Sequence, residues 1–277
     1  MTSIIIMKRN RRIFIYLIIF LGTFSGLHAD AQLGGLLKKA KNKAVQKAAE
    51  VMDKETATSA NVDGDQTSNK VIINTGFDFI PGDSVLFTEN FTGIANGASA
   101  KSFKTNGSAS IVTVNDEAGK WLALADNATY KFTKQRFYPK HFTIEFDIFA
   151  VADKVRDIYP LIFGFTKDNS VSDYNSGNGA YVSVKYYNEH EVNINSSYND
   201  KYLSADFDLN PYVNRKMHVS LMVDNGRMEV YLDKTKLADT QLFLPASPKN
   251  FYISAPMQYK NGSKVLVSNF RIATYKK

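Results

Sequence analysis

From Phe77 onward the chain is written in period two: short runs in which every second residue is apolar, separated by turn residues at regular spacing. Successive side chains of a strand point to opposite faces. A long series of such runs without helical segments between them therefore predicts a β-sandwich rather than βαβ units. Candidate strands fall at 84–89, 110–114, 121–124, 143–150, 160–166, 180–186, 191–195, 215–223, 227–233, 250–255 and 264–274. In 142–149, Ile144, Phe146 and Ile148 point one way, and Thr143, Glu145, Asp147 and Phe149 the other. The hairpin over 217–232 is the clearest, because Asp224-Asn225-Gly226 supplies residues that accept a positive φ between two alternating arms. The expected fold class is all-β, an antiparallel β-sandwich over 77–277, preceded by a short N-terminal helix and a linker.

Upstream of residue 77 the alternation is absent. Lys8, Arg9, Arg11 and Arg12 precede an unbroken apolar run over 13–21, and a small, polar stretch containing Ala29-Asp30-Ala31 follows. That order reads as a secretory signal cut after Ala31, so residues 1–31 are assigned to it. The run is too short to span the roughly 20 residues a bilayer requires. Residues 32–55 read as a helical arm: Leu36, Leu37, Ala40, Ala44, Ala48 and Val51 recur at three- and four-residue steps with lysines between them. The apolar stripe is mostly alanine, which suits a solvated or loosely docked arm, peripheral contact with an anionic surface, or oligomerisation. Residues 56–76 read as a linker. Within it, 59–70 fails as a calcium loop, since Lys70 stands where a bidentate Glu is needed.

Charge and cysteine usage exclude several classes. Removing residues 1–31 takes four basic residues and one acidic residue with it, so the formal +7 falls to +4. Most of the rest sits on the arm, and residues 77–277 carry 23 basic against 21 acidic side chains. A nucleic-acid partner, which calls for a concentrated basic face, is not expected. The chain has no cysteine, which removes thiol catalysis, zinc–thiolate sites and lipid-modified cysteine. An exported product, in the periplasm, at the outer membrane or outside the cell, is expected.

Three segments resemble the laminin-G-like, concanavalin-A-type jelly roll. Lys140-His141-Phe142-Thr143-Ile144-Glu145-Phe146-Asp147 is similar to one strand of that family. Arg215-Lys216-Met217-His218-Val219-Ser220-Leu221 with Met228-Glu229-Val230-Tyr231-Leu232-Asp233 resembles its hairpin, and Val267-Ser268-Asn269-Phe270-Arg271-Ile272 its closing strand. The opening, Phe77-Asp78-Phe79-Ile80-Pro81-Gly82-Asp83-Ser84-Val85-Leu86-Phe87, with Gly119-Lys120-Trp121-Leu122, resembles the N-terminal sandwich of outer membrane protein A family proteins of Gram-negative gliding-type bacteria. Met217 stands where the hairpin of the family carries tryptophan, and Lys234 where a glycine would follow Asp233. Because the chain ends at Lys277, the peptidoglycan-binding domain of those longer proteins is not expected. These resemblances imply a fold more than a function.

Hydrolysis of glycosides on this fold needs two carboxyls about 5–5.5 Å apart. The resemblance to jelly-roll glucanases would place the first pair at Glu145 and Asp147, but the second glutamate is replaced by Phe149 or Ala150. The pair is therefore expected to be two polar residues on the less buried face of a strand. His218 is expected to serve the hairpin, and His190 to lie in a turn without metal partners. No metal or other cofactor is assigned. A structural calcium ion at a sheet edge stays open, with Glu89, Asn90 or Asn269 as ligands implied by the resemblance.

Residues 168–202 are rich in tyrosine and asparagine. Sugars are held by flat rings and short hydrogen-bonding groups, which makes Tyr174, Tyr181, Tyr186, Tyr198, Asn178 and Asn195 the candidate ligand-binding residues. The expected function is a non-catalytic binding module of the cell envelope, for a glycan or a surface protein. The alternatives are a carbohydrate-active hydrolase of the same fold and a structural envelope component.

Overall fold

The computed structural model describes residues 77–171, 179–244 and 246–276. The expected signal (1–31), arm (32–55) and linker (56–76), with Tyr174 and Asn178, lie outside the described residues. Among the described residues no helix is long and apolar enough to cross a membrane.

The first strands are β1 (Ser84–Glu89), β2 (Phe103–Thr105), β3 (Ala109–Val114), β4 (Glu117–Leu124), β5 (Thr129–Phe132) and β6 (His141–Val151). They are followed by β7 (Leu161–Thr166), β8 (Gly179–Lys185), β9 (Glu191–Ser196) and β10 (Lys201–Asp206). The last are β11 (Lys216–Asp224), β12 (Arg227–Leu232), β13 (Thr235–Gln241), β14 (Asn250–Ser254) and β15 (Lys264–Thr274). They form two sheets. The first runs β13-β12-β11-β6-β15-β4-β3 with β1 also paired to β15, and the second runs β10-β9-β8-β7-β14-β5-β2. Every paired strand is antiparallel to its neighbours.

The alternation builds the core. Ile144, Phe146 and Ile148 of β6, Phe163 and Phe165 of β7, and Val182 and Val184 of β8 are fully buried between the sheets. Rings dominate its centre: Phe146 stacks on Phe270 at 5.3 Å between centroids, and Phe132 on Phe251 at 5.8 Å. Each such burial stabilises by roughly 1.5–3 kcal/mol, enough in number to hold a domain of this size without disulfides. At the β11–β12 hairpin Asn225 takes the positive φ, 53°. Gly226 is required for a different reason, since a Cβ there would lie 2.7 Å from the carbonyl oxygen of Phe243.

Strand β15 occupies the middle of the first sheet. It pairs with β6 along its length, with β4 at Leu266 and Val267, and with β1 from Phe270 to Thr274. A bulge between Ser268 and Arg271, with Asn269 at φ 53°, lets one strand serve all three.

The outer face of this sheet departs from expectation. Glu145 and Asp147 do point outward, yet Asp147 is only 6% exposed. Its Oδ1 lies 2.6 Å from Nδ1 of His218, and its Oδ2 accepts from Asn269 Nδ2 at 2.7 Å. Glu145 accepts from Arg271 at 2.7 Å, and Arg271 also donates to the Gly82 carbonyl at 2.6 Å. The pair is not solvated, because its partners arrive from β11 and β15, far away in sequence. Residues 77–83 lie across the same face. Phe77 and Phe79 pack edge-on against the buried Tyr231 ring, 5.6 and 5.5 Å away, and Tyr231 donates to Asp78 at 2.8 Å. Gly82 N donates to Thr143 Oγ1 at 3.2 Å. Trp121, Phe149 and Leu266 form a separate buried apolar cluster on this side.

Candidate functional site

The outer face of the second sheet is built differently. With Ala180, Val182 and Val184 facing the core, alternation turns Tyr181, Ser183 and Lys185 of β8 outward. The same logic turns Asn193 and Asn195 of β9 outward, against Val192 and Ile194. The antiparallel register then aligns these side chains in rows across three strands. Tyr181 stands opposite Asn195, and Asn195 opposite Tyr202. One step along, Ser183, Asn193 and Ser204 form a second row, and Lys185, Glu191 and Asp206 a third. On β7, Gly164 faces Tyr181 and Ile162 faces Ser183. A Cβ at Gly164 would come within 2.6 Å of the Tyr181 Cα, so only glycine fits beneath that ring-bearing residue.

These rows line a groove of about 270 Å³, bounded by Pro160 and Ile162 on one side and Tyr202 on the other. Tyr202 is 63% exposed, Tyr181 and Asn195 are half-buried, and Ser183 and Asn193 form a buried floor. Beyond β7 the same face is closed. Lys131, Tyr252 and Ser254 are buried there, and Lys131 donates to Thr166 Oγ1 at 2.7 Å and to the Asp168 carbonyl at 2.9 Å. Burial draws the Lys131 ammonium down to about 8 against the opposing pull of Asp168.

The third row brings two carboxylates, Glu191 and Asp206, to the border of the groove. Glu191 accepts from Lys185 Nζ at 2.6 Å and from Asn193 Nδ2 at 2.9 Å, with Asn188 as a third donor. Lys185 first, then the two amides, hold its carboxyl down at about 2, so it stays ionised and cannot donate a proton near neutrality. The Asn193 amide, tied to Glu191 and Ser204 Oγ, is fixed in one orientation. Burial raises the Tyr181 phenol, which therefore remains a neutral donor. The groove offers rings, amides and hydroxyls, with the Lys185–Glu191 ion pair at its border.

The candidates divide accordingly. Tyr181 and Asn195 belong to the groove. Tyr186 does not: it continues the inward-facing series Ala180, Val182 and Val184 into the 3₁₀ turn over Tyr186–Asn188, and its side chain is wholly buried in the core, where burial raises its phenol. Tyr198 lies in the β9–β10 loop, with its ring 5.9 Å from Phe243 and its hydroxyl donating to the Pro248 carbonyl at 3.4 Å. Burial pushes its phenol up to about 12. Ser183, Lys185 and Ile162 join the groove without having been selected from the sequence, although counting alternate residues outward from Ala180 would have found the first two.

Each side chain that the resemblance offered to calcium has a partner in the chain. Glu89 accepts from Phe91 N at 2.8 Å, Asn90 from Thr92 N at 3.0 Å, and Asn269 serves Asp147. Among the described residues no group of three or more histidines and carboxylates is arranged to hold a metal ion. His190 lies in its turn, with Asp206 and Asp208 3.8 and 3.9 Å away.

The other polar cluster, on the first sheet, is bound up in itself. His218 is raised to about 9, by Asp147 above all and then by Glu145. Burial works against the charge on Glu145, but His218 and Arg271 outweigh it and hold the carboxyl below its usual range. Here an imidazolium is paired with carboxylates and no nucleophile accompanies it.

No protein-family model matches the chain, and no curated protein does. Solved structures match it in fold. Arcelin-5, a lectin-like defence protein from Phaseolus vulgaris, superposes with a TM-score of 0.50 at 12% identity, covering 69% of this chain and 98% of arcelin-5. The Ca²⁺-bound exoplasmic/lumenal domain of VIP36 gives a TM-score of 0.50 at 10% identity, over 68% of this chain and 89% of that one. Its Ca²⁺/Man2-bound form gives 0.50 at 10% identity, over 68% and 87%. Together with the two-sheet topology, these likenesses show that the described residues fold as a concanavalin-A-like β-sandwich.

Proposed function

We propose that this sandwich is a non-catalytic glycan-binding module of an exported, cell-envelope protein, and that the groove on its second sheet is the binding face. The observation that carries the reading is the row Tyr181, Asn195 and Tyr202 above a floor of Ser183 and Asn193. A sugar presents apolar C–H faces and a rim of hydroxyls, and such a row supplies a ring to stack on beside amide donors and acceptors. Of the two carboxylates in the adjoining row, Glu191 is tied to Lys185 and two asparagines, which leaves Asp206, 3.8 Å from His190, whereas glycoside hydrolysis needs two carboxyls acting on one substrate. The lectin-like fold of arcelin-5 and the mannose-bound VIP36 form add support for a sugar as ligand. The export signal, the basic arm and the resemblance to outer membrane protein A family sandwiches support the envelope as location. The arm is assigned peripheral contact with the surface, and surface proteins are secondary partners.

A glycan array probed with the purified chain tests the reading. Hits are expected, with no release of reducing sugar from them, and Tyr181→Ala and Asn195→Ala should each weaken the best hit about tenfold, the scale of one or two lost polar or stacking contacts. An array without hits, or hits indifferent to both substitutions, rejects the groove. Reducing sugar released by the unmodified chain rejects the non-catalytic assignment.

A further inference from the structure

The two loops that close one end of the sandwich carry cations without acids. Residues 133–140, between β5 and β6, contain Lys134, Arg136 and Lys140, residues 242–249, between β13 and β14, contain Lys249, and neither stretch has an aspartate or glutamate. The loops meet around a pocket of about 150 Å³, lined by Arg136, Phe137 and Tyr138 from one and Pro248, Lys249 and Asn250 from the other. That is several times the space one water needs and admits a carboxylate group.

Both cations are held partly out of water. The Arg136 guanidinium lies 3.7 Å from the Phe87 ring centroid, and its buried Nε–H has no acceptor. Lys249 lies 4.8 Å from the Phe243 centroid and makes one hydrogen bond, to the Ser247 carbonyl at 3.3 Å. Burial lowers both pKa values. Among the described residues neither cation forms an ion pair with a carboxylate. Partly desolvated charges without a counter-charge are costly, and an oxyanion that enters the pocket removes that cost. Beside them Phe137 is 90% exposed, a ring left in water with an open face.

The geometry points to a second binding site at this loop end, which takes the carboxylate of an acidic sugar residue between Arg136 and Lys249 while its ring stacks on Phe137. The planar fork of arginine matches a two-oxygen, planar anion better than a point charge, and the exposed ring adds a contact that a free inorganic ion cannot use. The site is independent of the groove, which lies on β7 to β10 and uses none of these residues.

Isothermal titration of the full chain with trigalacturonate tests it, with galactotriose as the neutral counterpart and with inorganic phosphate and phosphatidylglycerol vesicles in parallel. Trigalacturonate should bind, weaken with added salt, and lose at least tenfold in affinity in Lys249→Gln and in Phe137→Ser; galactotriose should not bind this end. Phe137→Ser alters an exposed side chain, whereas Lys249→Gln removes a weak hydrogen bond and the contact with the Phe243 ring, so Phe137→Ser decides the result if the urea midpoint of Lys249→Gln falls; Arg136→Gln is a further variant. Absence of trigalacturonate binding, or equal affinity in both variants, overturns the site. Phosphate or vesicles binding as tightly as trigalacturonate overturns the acidic-sugar assignment. Tyr202→Ala should leave trigalacturonate binding unchanged; its loss there would move the acid to the groove and defeat the second site without touching the first.

Discussion

The two sheets both present polar outer faces, of opposite character. On the first, Glu145, Asp147, His218, Asn269 and Arg271 have spent their hydrogen-bonding capacity on one another, and residues 77–83 lie over the sheet. On the second, Tyr181, Asn195 and Tyr202 stand in a row at the surface of an open groove. Polar outward residues in alternating strands thus have two fates. Where long-range partners arrive, they become a second, polar core. Where they do not, the capacity is left for a ligand.

The comparison breaks most readily at Asp147. Replacing it with alanine strands His218 and Asn269 without their acceptor, and a loss of about 2–3 kcal/mol is expected, read as a lower urea midpoint with unchanged slope. A change within about 0.5 kcal/mol, the usual range for surface sites, would mean that this face is no more closed than the other.

A smaller effect follows from pH. His218 titrates at about 9 in the folded chain and at about 6.5 unfolded. A raised folded pKa stabilises fully below the unfolded value, so the contribution should be complete below about pH 6.5 and fade as pH climbs to about 9. The side chain is 40% exposed, and after discounting for solvent screening the effect is roughly 1 kcal/mol. Glu145, whose folded pKa is lowered, acts in the opposite sense and loses its share in acid. Urea unfolding at pH 6 and pH 9.5 should show the alkaline loss in the native chain and not in His218→Gln; an equal loss in both would place its origin elsewhere.

The smallest expected change in stability is on the open face. Tyr202→Ala should shift the unfolding free energy by no more than about 0.5 kcal/mol, because the ring is 63% exposed. A loss above about 1 kcal/mol would show that this face, too, is consolidated by its own side chains.

Much of the sandwich was legible because period two survives wherever one face is buried. The β11–β12 hairpin and β6 were read directly. The signal failed at β5, where Thr129, Lys131 and both their neighbours are all buried, so no alternation remains and a lysine stands inside. It failed also at the edge strands β10 and β13 and at the three-residue β2, where little apolar area marks the inner face. At the groove, Tyr181 and Asn195 followed from residue type and strand placement. Tyr186 was chosen for its residue type, although period two counted from Ala180 places it on the inward face. The Asp147 cluster was illegible for a different reason: its partners lie 71 and 122 residues away, and no local pattern encodes a pairing at that separation.

The position of β15 has a consequence in time. A strand that pairs with β6, β4 and β1 is the keystone of the first sheet, yet it is the last of the fifteen to be synthesised. Until residues 264–274 have emerged, β6 has one edge open, β4 lacks its link to the rest of the sheet, and β1 has no partner. Contacts so distant in sequence form slowly, and unpaired edges invite wrong partners while they wait. The nascent chain therefore cannot close this sandwich segment by segment. Its open edges stay exposed to wrong partners until that closing strand arrives.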